Sequence, residues 1–182
     1  MIPMPDELAD QMIAKTEELV EEKKGPEAVA EATELAKVDP KDAIAWFVKG
    51  KAHYVDGQFE DALSCLSKAA QMEQENPQIW HVMGYAFISL NRLPEAEEAL
   101  AYVKASQPQN AEAICALGIC QVMQNKPAEA RPNFEAAIGL NKSVAIAMLE
   151  HFHEKFFSVS KETNSSTKAM LERMLETLKL VR

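Results

Sequence analysis

Gly50, Gly84 and Gly118 stand 34 residues apart, and a chain that repeats on such an interval folds as stacked copies of one small unit. Four further registers keep the same step: Ala62, Ala96 and Ala130; Leu66, Leu100 and Phe134; Ala69, Val103 and Ala137; and Gly57, Asn91 and Asn125. Trp46 and Trp80 each lie four residues before a repeat glycine. Pro40 and Pro108 close the units that precede the first and third copies.

This pattern of small and large residues resembles the tetratricopeptide repeat family, whose unit is a helix-turn-helix. The resemblance implies an all-α fold: a right-handed α-solenoid of such units with capping helices at both ends. The expected boundaries are a degenerate first repeat or cap over 1–42, full repeats over 43–76, 77–110 and 111–144, and C-terminal capping helices over 145–182. Together they form one domain of about ten helices, at two per repeat plus the end pairs.

Each recurring position has a physical task. The glycines, with Ala62, Ala96 and Ala130, sit where the two helices of a unit cross, and their small size lets the axes approach. Leu66, Leu100 and Phe134 fill the space left by them. Gly57, Asn91 and Asn125 fall in the turn, where a residue tolerant of positive φ ends the first helix. Pro94 and Pro127 follow at the first turn of the second helix, where a missing N–H costs nothing.

The copies also depart from the family pattern. Lys49 stands where Leu is usual, and His53 and Gln121 where Tyr is usual, while Phe87 keeps an aromatic. Pro132 falls about one turn inside the third second-helix, so a local distortion is expected near residues 131–133. Upstream, residues 26–38 read as a second helix and 5–22 as its partner, without a repeat glycine. Downstream, Ser143 is a candidate N-cap for a helix bearing Met148, Leu149, Phe152 and Phe156. A polar turn over 160–167 precedes the stripe Leu171, Met174, Leu175 and Leu178.

The 182 residues, 47% of them hydrophobic, suffice to bury the core of one domain. The formal net charge of −9 argues against nucleic acid, which needs clustered Lys and Arg. Residues 1–42 hold 12 acids and 5 bases, against 11 and 8 in the next hundred and 5 and 6 in the last forty. An acidic N-terminal face could attract a basic partner, or serve only to keep the surface solvated.

The apolar run from Ala113 to Cys120 is too short to span a bilayer, and the first ten residues lack the marks of a secretory signal. The expected location is cytoplasmic. Cys65, Cys115 and Cys120 are odd in number with no CxxC spacing, so buried free thiols are expected. His151 and His153 point about 200° apart on a helix, and His151 with Glu154 reads as a surface pair, so no metal is expected. Glycine-rich phosphate loops and the common hydrolase motifs are missing from the sequence, and neither a cofactor nor an enzymatic activity is expected.

Function is then expected from surface shape. In the family, certain positions of each first helix face the concave groove. Here they supply Phe47, Lys51 and Tyr54; then Gln78, His81, Tyr85 and Ile88; then Glu112, Ile119 and Val122. The resemblance implies a non-enzymatic adaptor that takes an apolar peptide, extended or helical, into an aromatic trough. Alternatively, some of these residues are internal packing, or the terminal helix of the chain fills the trough.

Relatives that capture acidic C-terminal tails of heat-shock chaperones use a basic clamp. Only Lys51 fits that clamp, since Val82, Glu112 and Ala116 stand where polar or basic residues are required, and a buried carboxylate at 112 would repel such a tail. Two other roles stay open. The layout is similar to small acidic chaperones of type III secretion, and the stripe from Leu171 to Leu178 could dock on a second copy to make a homodimer.

Overall fold

The computed structural model describes residues 5–159 together with Ala169, Glu172 and Arg173, and the described residues contain nine α-helices and no strand. The chain divides into two compact units, residues 1–92 and 93–182. Unit 1 holds α1 (Pro5–Glu21), α2 (Gly25–Val38), α3 (Ala43–Val55), α4 (Phe59–Met72) and α5 (Pro77–Ser89). Unit 2 holds α6 (Leu93–Ser106), α7 (Ala111–Met123), α8 (Pro127–Leu140) and α9 (Lys142–Val159). The second C-terminal stripe lies outside the described residues.

Caps set the helix boundaries and repeat with the sequence. Asp42, Asn76 and Asn110, which are 34 residues apart, accept from the amides of Ile44 (2.9 Å), Gln78 (3.0 Å) and Ala113 (3.0 Å), so α3, α5 and α7 start in step. At the other end Gly57, Asn91 and Asn125 hold φ of 77°, 57° and 60°, as the turn register requires. The amide after each, at Gln58, Arg92 and Lys126, returns 2.8 Å to the carbonyl of His53, Phe87 and Gln121, closing a Schellman cap.

The same cap exists one unit earlier. Lys23 holds φ of 58°, and the Lys24 amide bonds the Leu19 carbonyl at 2.9 Å. A lysine in that conformation costs about 1 kcal/mol. The periodic frame therefore reaches back through α1 and α2, although no glycine announces it there.

The crossing contacts follow the expected size logic. A Cβ built on Gly50 would stand 2.6 Å from Leu66 Cγ, and one on Gly118 would stand 2.6 Å from Phe134 Cε1. In the first pair the register puts Thr16 in the glycine position and Ala32 in the Leu66 position, and both are fully buried. The larger residue has moved from one helix to the other. Thr16 Oγ1 satisfies itself on the Met12 carbonyl at 2.8 Å. The two tryptophans anchor the preceding loop, Trp46 Nε1 to the Pro40 carbonyl (2.9 Å) and Trp80 Nε1 to that of Gln74 (2.8 Å).

Helix α8 begins at Pro127 and stays helical through the exposed Pro132 to Leu140. One local expectation changes. The cap of α9 is Asn141, whose Oδ1 accepts from the Val144 amide at 3.2 Å. Ser143 is already inside the helix and exposed, so it cannot serve as the cap. No helix among the described residues is long and apolar enough to cross a membrane.

Candidate peptide-binding face

In unit 1 the first helices α1, α3 and α5 are tied along one face by side chains in the groove register. Lys51 Nζ on α3 donates to Glu17 Oε1 on α1 at 3.2 Å, and lies 5.6 Å from the centre of the Phe47 ring one turn back. Tyr54 on α3 meets Tyr85 on α5 with ring centres 6.4 Å apart. Tyr85 in turn lies 5.0 Å from the His81 ring, and Tyr54 lies 5.5 Å from Phe59.

These tilted geometries suit rings that meet edge to face. Phe47, Tyr54, His81, Tyr85 and Ile88 are all partly exposed, and Gln78 is exposed at the edge. Within each of α3 and α5 the expected residues share one helical face, Phe47, Lys51 and Tyr54 on the first and Gln78, His81, Tyr85 and Ile88 on the second, and each keeps some exposed surface.

Unit 2 treats the equivalent positions differently. Ile119 and Val122 on α7 are only 7% and 4% exposed, and they pack with Ala145, Leu149 and Phe152 of α9. The chain's own helix covers them. Helix α7 is buried on nearly every side beyond its first turn, as a largely apolar helix that must be surrounded is. Glu112 is exposed rather than buried, because its place in the first turn of α7 leaves it in solvent. The expected repulsion of an acidic tail therefore loses its low-dielectric setting, though the sign of the charge stays wrong for a basic clamp.

Sequence reasoning missed a polar network inside unit 2. Asn133 Nδ2 donates to Gln121 Oε1 (2.7 Å), Lys104 Nζ donates to Asn133 Oδ1 (2.7 Å), and Gln121 Nε2 donates to Glu97 Oε1 (3.0 Å). Gln124 and Lys126 add bonds of 2.8 and 2.7 Å to Glu97 Oε2. Burial pushes the Glu97 carboxyl up, but the bonds from Lys126, Gln121 and Gln124 outweigh it and hold the group below its ordinary range. The Lys126 ammonium is raised by its bond to Glu97.

A signal for this network was present. Gln121 and Asn133 are both polar at core registers that hold His53 and Phe87, and Cys65 and Ala99, in other copies. Two polar residues at core positions of one copy complement each other.

All three cysteines are free and buried. Burial pushes the Cys115 thiol up to about 12, which leaves it protonated and unreactive at neutral pH.

Two family models described as tetratricopeptide repeat match the sequence, over residues 17–77 and 55–117, and together they span more than half of the 182 residues. The chain belongs to the tetratricopeptide repeat family. Its fold class is accordingly the all-α repeat solenoid. Solved structures of this family superpose well.

PilF of Pseudomonas aeruginosa is similar at 19% identity with a TM-score of 0.71, covering 95% of this chain and 77% of that one. A crystal structure of MamA matches at 15% identity and 0.70, covering 91% and 92%. YrrB, described as a TPR protein with an unusual peptide-binding site, matches at 16% and 0.67, covering 94% and 86%. At these identities the likeness is one of fold. No curated protein matches the sequence.

Proposed function

We propose that this chain is a non-enzymatic protein-interaction adaptor that holds an apolar peptide segment, extended or helical, on the α3–α5 face of unit 1. One observation carries the reading: Tyr54, Tyr85 and His81 form a connected set of rings, Phe47 lies two turns before Tyr54 on the same face of α3, and all four are partly exposed. Rings so placed expel water from a ligand side chain at little entropic cost. Ile119 and Val122 are not part of this face, since α9 already covers them.

Phe47→Ala and Tyr85→Ala are the discriminating variants, tested by calorimetry against peptides selected on the wild-type protein. Each is expected to weaken binding by about 2 kcal/mol, roughly thirtyfold, with an unchanged unfolding midpoint for Tyr85→Ala and a lowered one for Phe47→Ala, since Phe47 also packs on Leu35, Ala45 and Val48. A collapsed midpoint with intact affinity at low temperature would instead make these rings core.

A further inference from the structure

The aromatic face of unit 1 is bordered on one side by acids. Asp10, Glu17 and Glu21 lie on α1 at spacings of seven and four residues, so they share one helical face. That face is turned toward α3, because Glu17 reaches Lys51 at 3.2 Å and Ile13, between Asp10 and Glu17, packs in the same cluster as Phe47. Asp10 and Glu21 are exposed, and Glu17 keeps 46% of its side-chain surface in solvent. Lys51 is the lone base at the groove register of α1, α3 and α5 and is committed to Glu17, so the border is net negative.

Resting on the adaptor reading above, we infer that the peptide taken by this face carries Lys or Arg next to its apolar anchors, the anchors seated on Phe47, Tyr54 and Tyr85 and the cations on Asp10, Glu17 and Glu21. Charge complementarity selects this occupant. A cation near α1 is attracted by the carboxylates at the border, whereas an acidic flank meets like charge. Pairs at a solvated border change association rate and salt dependence more than they change the contacts of the anchors.

The test uses the full chain and three fluorescent peptides with one shared aromatic-aliphatic centre, flanked by Lys/Arg, by Ser, or by Glu. Anisotropy titrations are expected to rank them basic, neutral, acidic, with about tenfold between the first two and a preference that shrinks as salt is raised. Asp10→Asn with Glu17→Gln and Glu21→Gln should bring the three affinities together.

Glu27→Gln with Glu60→Gln and Glu75→Gln removes the same charge elsewhere in unit 1 and should leave the ranking intact. Equal binding of all three peptides, abolished by Tyr85→Ala, would overturn the inference while sparing the adaptor reading. A ranking erased equally by both triple variants would also overturn it, as bulk charge. Failure of every peptide to bind would sink both.

Discussion

Units 1 and 2 are written in one 34-residue frame, yet they finish the first-helix face in opposite ways. In unit 1 the groove positions carry Phe47, Lys51 and Tyr54 and then His81, Tyr85 and Ile88, and all stay partly exposed. In unit 2 the same register carries Cys115, Ile119 and Val122, all buried, with Leu149 and Phe152 of α9 against them. The difference teaches that the repeat specifies helix pairs and their crossings, whereas the residues between the recurring positions decide whether a face is fully buried or keeps exposed surface. Small and aliphatic side chains invite a covering helix, and rings with polar edges tolerate water.

The contrast can be broken most strongly at Phe134. It is fully buried in the unit 2 cluster and touches Gly118, so Phe134→Ala is expected to cost about 3–5 kcal/mol through an unfilled cavity. Hydrogen exchange should register the loss in α7, α8 and α9. Unchanged protection there would show that the closed face does not depend on this contact.

A second test moves a device between units. Gly50→Thr alone should cost about 1–3 kcal/mol, since its Cβ runs into Leu66, and Leu66→Ala alone about 2–5 kcal/mol. The double variant copies the Thr16 and Ala32 arrangement of α1 and α2. Its denaturant-derived loss should fall below the sum of the singles by about 1 kcal/mol or more. Strict additivity would remove the size-exchange explanation for the missing glycine.

The smallest effect concerns acid. The folded carboxyl of Glu97 lies below its unfolded value, so the stability it lends unit 2 is complete above the unfolded value of about 4.3 and disappears as pH falls through the folded one. Glu97→Gln should flatten that acid limb in equilibrium unfolding monitored within unit 2. A limb of unchanged slope would mean that other carboxylates carry it.

Much of the fold was legible in the residues. The turns at Gly57, Asn91 and Asn125 were readable because positive φ has a short list of willing residues, and Lys23 escaped notice because lysine is not on it. The proline at 132 did not end the helix, which stays helical to Leu140. The cap at Asn141 was missed in favour of Ser143, two residues on, since both types cap helices and only the backbone decides which is first. At the candidate site, the aromatic positions could be named in advance, but their mutual contacts could not.

What the amino-acid order determined alone was most of the local structure in the three full copies: helical pairs, the turns at Gly57, Asn91 and Asn125, and the matched sizes at their crossings, because these depend on residues within one 34-residue interval. Tertiary structure decided which face α9 would cover and that Gln121 would meet Asn133 and Glu97, the latter 24 residues away. Such choices rest on packing and desolvation between helices distant in sequence, and a period along the chain carries no record of them.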